Sequence, residues 1–275
     1  MPNFETTDGL TLYFSDQGEG LPVLCLSGLS RNSNDFSYID GHLEGVRLIK
    51  MDYRGRGRSD WDKDYTSYNI PRESMDALEL MDHLGIEQFA LLGSSRGGLC
   101  AMAIGAMAKH RLLGVAFNDI GPEIDPRGLA VINDYLGRPP VWKTLKEAAQ
   151  KRPKVMIGFD NVPASRWREE IEHLYRQTDK GLGLTYDPKL RDAVLEAGVQ
   201  QVPDLWPFYE VFSDIPVAVL RGEHSNILAA DCFEKMGTTL PHAITAEVKD
   251  RGHIPFLDEP ECVDALRQWI DQIKA

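Results

Sequence analysis

Ala90-Leu91-Leu92-Gly93-Ser94-Ser95-Arg96-Gly97-Gly98 is the stretch whose reading decides the fold. It reads as an apolar strand, a G-x-S-x-G turn, and the start of a helix that runs on through Leu99-Cys100-Ala101-Met102-Ala103-Ile104. A sharp strand-to-helix turn of this kind pushes the Ser95 hydroxyl clear of the backbone. Gly93 and Gly97 suit it, because a side chain at either place collides with the neighbouring strand or helix. The Arg96 N–H opens the helix and has no partner inside it, so it can face a developing oxyanion. A bare G-x-S-x-G also fits a tight turn with a structural serine. The strand before it and the helix after it favour a nucleophile.

Outward from this stretch, short apolar runs alternate with helical patterns. Leu21–Leu26, Val46–Met51, Gln88–Leu92, Leu113–Phe117, Pro216–Leu220 and Ile244–Val248 read as strands. Several are apolar throughout, as parallel strands covered on both faces must be. Helical patterns lie near Asn34–Leu43, Pro71–Leu84 and Arg96–Lys109. The alternation predicts an α/β fold with a mostly parallel, doubly wound sheet. Asn3–Gly18 alternates around Asp8-Gly9 and reads as an N-terminal antiparallel hairpin.

Between Pro122 and Ser213 the alternation stops, and no convincing strand is visible. Asp125-Pro126 and Asp187-Pro188 each offer an N-cap followed by proline. Thr144-Leu145-Lys146-Glu147 is a capping box. The organisation expected is a core domain from residues 1–121 and 214–275, with a helical cap inserted at 122–213. Aromatics crowd the insertion, and Trp142, Trp167 and Trp206 are the candidates to line a substrate pocket. Aromatics of this kind also serve simply to pack a cap onto itself and onto a core.

The chain has 275 residues, 43% hydrophobic and 26% charged, enough for one large domain that buries about three quarters of its unfolded surface. A formal charge of −12 argues against nucleic acid, which demands clustered Lys and Arg, and against an anionic membrane surface. The N-terminus shows neither a basic start nor an apolar run, and no stretch approaches the length of a spanning helix. Cys25, Cys100, Cys232 and Cys262 are far apart and lack metal-ligand spacing. A reducing cytoplasm fits them best, although four cysteines also allow two disulfides.

A serine nucleophile needs a base. His253, in Gly252-His253-Ile254-Pro255 after the last strand, is the best placed of the seven histidines. In a parallel sheet that position is the carboxyl edge, where Ser95 also lies. His42, His83, His110 and His173 fall in or at the ends of helical patterns and suit surface or capping roles. A second oxyanion donor is expected at Leu29, whose N–H follows Ser27-Gly28 at the end of the first apolar strand; the same residues also read as an ordinary polar loop. Asp52-Tyr53-Arg54-Gly55-Arg56-Gly57-Arg58-Ser59 lacks both G-x-G-x-x-G and G-K-[ST], so it reads as a structural turn fixed by Asp52, Arg54 and Ser59.

These elements together resemble the α/β-hydrolase fold superfamily over nearly the whole chain. The resemblance rests on Ser27-Gly28-Leu29, Asp52–Ser59, Gly93–Gly97 and Gly252-His253. Asn118–Glu123 and Arg221–Asn226 resemble a bacterial serine esterase-like branch. It implies Ser95 as nucleophile, His253 as general base, Leu29 and Arg96 as oxyanion donors, and no metal or organic cofactor. Serine rather than aspartate at the elbow counts against haloalkane dehalogenase and epoxide hydrolase chemistry. Ser27 departs from the more usual histidine of the oxyanion loop.

Position 226 departs more seriously. The resemblance places an aspartate there to orient the histidine, and this chain has Asn226. Three readings stay open: an inactivated variant; another acid, with Asp119 first and Glu223 second; or a weak enzyme. The expected activity is hydrolysis of a small-molecule carboxylic ester. C–C bond hydrolysis of a ring-cleavage product uses the same residues, but the Gly-Pro-Gly of that group is missing after Gly28. A ligand-binding protein that lost turnover is the rival from another class.

Overall fold

The computed structural model describes residues 2–198 and 203–275; residues 199–202, inside the expected cap, lie outside the described residues. The N-terminal strands β1 (Asn3–Glu5) and β2 (Thr11–Gly18) pair antiparallel, as the turn at Asp8-Gly9 predicts. β3 (Leu21–Leu26), β4 (Val46–Met51), α1 (Ile70–His83), β5 (Phe89–Ser94), α2 (Arg96–Ala108) and β6 (Leu112–Asn118) follow. After an excursion away from this sheet come β9 (Val217–Gly222), α8 (Ala230–Thr239), β10 (Ile244–Val248) and α9 (Pro260–Lys274). The large sheet has the order β1-β2-β4-β3-β5-β6-β9-β10 and is parallel from β4 to β10.

β5 shows why the fold forms. All six of its residues are buried. Phe89 and Leu91 join one apolar layer with Leu26, Ile104 and Phe117, beneath α1 and α2. Ala90 and Leu92 join the opposite layer with Cys25, Leu220 and Trp269 of α9. A continuous apolar run is therefore required, because both faces of the strand are covered.

Register then sets the functional edge. Leu26 is opposite Gly93, Ser94 is opposite Asn118, and Asn118 is opposite Leu220. The segments that leave β3, β5, β6 and β9 therefore emerge side by side at the carboxyl ends, where ligands bind in open α/β sheets.

The excursion from Ile120 to Pro216 carries α3 (Pro126–Tyr135), α4 (Leu145–Lys151), α5 (Ala164–Leu174), a two-stranded hairpin of β7 (Tyr175–Thr178) and β8 (Gly181–Leu184), α6 (Leu190–Ala197) and α7 (Trp206–Glu210). Asp125 caps α3 and Thr144 caps α4, as their sequences predict. The hairpin corrects the expectation that this segment has no strand. Its first strand, Tyr175-Arg176-Gln177-Thr178, is exposed over its last three residues and carries no apolar alternation to reveal it. A second correction concerns Asn34–Leu43. The chain there forms a 3₁₀ helix over Ser33–Ile39, capped by the Asn32 side chain. Among the described residues, no helix is long and apolar enough to cross a membrane.

Candidate active site

The turn between β5 and α2 is built by close approach. A Cβ at Gly93 would lie 2.4 Å from the Gly97 carbonyl carbon, and one at Gly97 would lie 2.0 Å from the Leu26 oxygen. Only glycine fits at both places. Ser95 between them has φ +51°, outside the negative-φ regions L-residues favour, and its N–H donates to the Asn118 oxygen at 2.9 Å. The strained turn and its neighbour strand are thus fastened together at the serine.

Ser95 Oγ lies 2.9 Å from His253 Nε2, and His253 Nδ1 lies 2.7 Å from Asp119 Oδ2. With the Nδ1 proton directed to the carboxylate, Nε2 is left to accept the serine proton. Asp119 is fully buried. Its Oδ1 accepts the Gly222 N–H at 2.8 Å, and its Oδ2 also accepts the Ser225 hydroxyl at 2.6 Å. Its own N–H donates to Leu220 O at 2.8 Å, and its φ of +56° turns the side chain off the end of β6. This carboxylate is fixed from both β6 and β9.

Asn226, where the acid position was expected, is not brought to the histidine. Asp119 occupies Nδ1, and Asn226 forms no hydrogen bond with His253 among the described residues. The reason is the tight turn after β9. Ser225 N–H returns to Gly222 O, and the Ser225 oxygen caps the Ile227 and Leu228 N–H groups. The backbone of Asn226 is carried against α3, where a Cβ at Gly128 would meet its oxygen at 2.2 Å. Glu223 is also absent from the histidine; it accepts the Asp250 N–H at 3.0 Å.

Leu29 and Arg96 present backbone N–H groups that donate to no other group among the described residues. Gly28 brings their two loops together: a Cβ there would be 3.7 Å from Ser95 Cβ and 3.4 Å from Arg31 Cδ. Arg31 pairs with Asp35 and with Glu170, the latter at 2.8 Å. Burial pushes the Asp35 carboxyl up to about 6, against the opposing pull of Arg31. Burial likewise raises the Tyr135 phenol, opposed by the charges of Arg152 and Arg31.

The three tryptophans go elsewhere. Trp142 packs on the small cluster of Ala148, Ile171 and Leu182. Trp167 is buried against Phe159 and Phe256, with ring centroids 5.8 and 6.4 Å apart. Trp206 donates to Glu123 at 2.6 Å and lies under Lys235. A cavity of about 370 Å³ lies between Asn32, Asp52, Arg58, Trp61, His173 and Arg176, and neither Ser95 nor any of the three tryptophans lines it. The Asp52 turn is structural as read: Arg54 pairs with Asp76, Asp62 and Asp8, and Ser59 donates to Asp52 O.

Two residues escaped the sequence reading. Asn118 donates to Ser94 Oγ at 3.0 Å and to Pro255 O at 3.2 Å, linking the serine turn to the histidine loop. Ser225 holds the Asp119 carboxylate. It stands one residue before Asn226, and its Ser-Asn context gave no sign of which side chain turns inward.

Comparison with known proteins places this geometry in a family. A family model described as the alpha/beta hydrolase fold matches residues 22–152. A 3-hydroxybutyrate-oligomer hydrolase of Cupriavidus necator is 32% identical over 90% of this chain and 87% of its own length. An AB hydrolase superfamily protein of Bacillus subtilis is 34% identical over 95% of this chain and 96% of its own. The crystal structure of an alpha/beta hydrolase from Novosphingobium aromaticivorans superposes with a TM-score of 0.91 at 32% identity, covering 98% of this chain and 97% of that one.

Proposed function

The chain belongs to the alpha/beta hydrolase family, and from that premise we propose that it is a serine hydrolase of carboxylic esters. The observation that carries the reading is the continuous line from Ser95 Oγ through His253 to the buried carboxylate of Asp119. His253 Nε2 takes the hydroxyl proton as Ser95 Oγ bonds to the ester carbonyl carbon. The Leu29 and Arg96 N–H groups receive the oxyanion. Collapse of this intermediate breaks the carbon–oxygen bond to the alcohol, which leaves with the proton from His253. Water then attacks the acyl-enzyme, giving its proton to His253, and the acid is released as the proton returns to Ser95.

Asp119 orients the imidazole and stabilises its charged form. A carboxylate at that place removes the argument for a turnover-deficient binding protein, which rested on Asn226. Residues 122–213 act as a cap over the carboxyl edge, and substrate choice resides there. The similarity to a 3-hydroxybutyrate-oligomer hydrolase favours short esters of hydroxy acids as the first substrates to try. Four buried, unbridged cysteines support action in a reducing cytoplasm.

The test combines a fluorophosphonate reagent with a panel of short chromogenic esters and a 1,5-diketone ring-cleavage analogue. Label on Ser95, ester turnover, and loss of both in Ser95→Ala are expected. Label on another residue, or turnover retained by Ser95→Ala, sinks the serine mechanism. Diketone cleavage without ester turnover moves the assignment to C–C hydrolysis.

A further inference from the structure

We infer that Glu73, a buried carboxylate on α1 far from the serine in sequence, is a positioning residue that fixes both halves of the oxyanion site. The inference rests on the serine-hydrolase reading above. Leu29 and Arg96 come from different loops, after β3 and β5, which meet in front at Gly28 and Ser95. The connection runs behind them. Arg56 Nε donates to Leu29 O at 3.0 Å, and its NH1 lies 2.7 Å from Glu73 Oε1. The other carboxylate oxygen, Oε2, accepts from Arg96 Nε. One carboxylate therefore holds the guanidinium that grips Leu29 and the guanidinium of Arg96 itself.

The surroundings leave little slack. Glu73 and Arg56 are fully buried, and the Arg96 side chain is nearly so. Arg56 NH1 also donates to Arg54 O at 2.6 Å, and Arg96 NH2 donates to Tyr68 O at 3.1 Å. Tyr68 stands just ahead of Asn69, the N-cap of α1, and its ring lies 5.4 Å from the Arg56 guanidinium. Glu73 is in the first turn of that capped helix, so its backbone is set by the Asn69 cap and by packing of α1 on α2. Burial lowers the Arg96 guanidinium's pKa, but Glu73 more than offsets it and leaves the group above its ordinary value. Arg56 is held below its ordinary value by burial, with Glu73 opposing.

Charge separates positioning from a field effect. Two guanidiniums share one carboxylate, so Glu73→Gln adds net positive charge near the oxyanion. A field effect alone predicts faster turnover; loosened donors predict slower turnover. A shift of the order of 1 Å in a catalytic group costs about 100-fold.

The experiment is Glu73→Gln, with kcat, KM and inhibition by a trifluoromethyl ketone, a tetrahedral mimic, and by an amide analogue of the same ester. Expected is a drop in kcat of about 10- to 100-fold, KM within about threefold, and ketone affinity falling in parallel while amide affinity holds. Folding is checked by circular dichroism. If Glu73→Gln fails to fold, Arg96→Met decides, because it leaves the Arg56–Glu73 pair intact; a kcat loss of about tenfold with the same inhibitor split is expected. Unchanged or raised kcat in a folded variant, or a loss confined to KM, overturns the inference. Acylation of wild-type Ser95 is measured on the same preparation. Its absence overturns the serine reading and this inference together; its presence with an unaffected variant overturns this inference alone.

Discussion

The carboxyl edge of the sheet and the insertion between β6 and β9 hold their residues in different ways. At the edge the site residues are held by several bonds: Asp119 by three donors, Ser95 by its backbone bond and by His253, and the histidine loop by Asn118. In the insertion the aromatics are divided between small separate clusters and the main core, which takes Tyr209 and Phe212. Trp142 belongs to one and Trp167 to another, while Trp206 packs on the main core. The difference teaches that the proposed chemistry rests on parallel strands bonded to one another, whereas the insertion is assembled from separate pieces.

Breaking the edge is expected to have the largest effect. Asp119→Asn should keep the fold and lower kcat by roughly 10⁴, because the amide favours the wrong histidine tautomer. Steady-state ester kinetics check this, and a loss below tenfold would show that the edge does not depend on its acid. Next comes a place where the two regions meet. Trp167→Ala removes the ring packed on Phe256, three residues after His253, and should cost about 3–5 kcal/mol of stability by denaturant unfolding. A cost under 1 kcal/mol would mean that the insertion cluster bears no load.

The smallest effect sharpens the same contrast. Asn226→Asp should change ester turnover by no more than about twofold, since Asp119 already faces His253 Nδ1. A hundredfold gain would return the acid to position 226 and leave Asp119 a structural carboxylate.

The strands around the edge were legible because their burial on two faces leaves continuous apolar runs, and the turn at Gly93–Gly97 was legible because only glycine tolerates its contacts. The acid was half legible. Asp119 and Asn226 both follow neighbouring parallel strands, so sequence places them at one edge and cannot order them. What decides is three-dimensional: a positive φ at Asp119 and a serine that turns inward beside Asn226. The insertion read poorly for another reason. Its hairpin is short and exposed, and its aromatics carry no mark that separates a packing role from a lining one. Glu73 was invisible because its partners, Arg56 and Arg96, are distant in sequence and the pairing exists only once α1 packs beside α2.

With Asp119 at the end of β6 facing His253, the connection after β9 meets the site through Glu223 and His224, which bond Asp250 and Arg251 ahead of His253, and through the Ser225 hydroxyl on Asp119. The next residue supports α3 by backbone contact at Gly128. Asn226 is therefore a natural place for change: a designer, or descent with modification, can alter its side chain to reset how α3 sits without touching the line from Ser95 through His253 to Asp119.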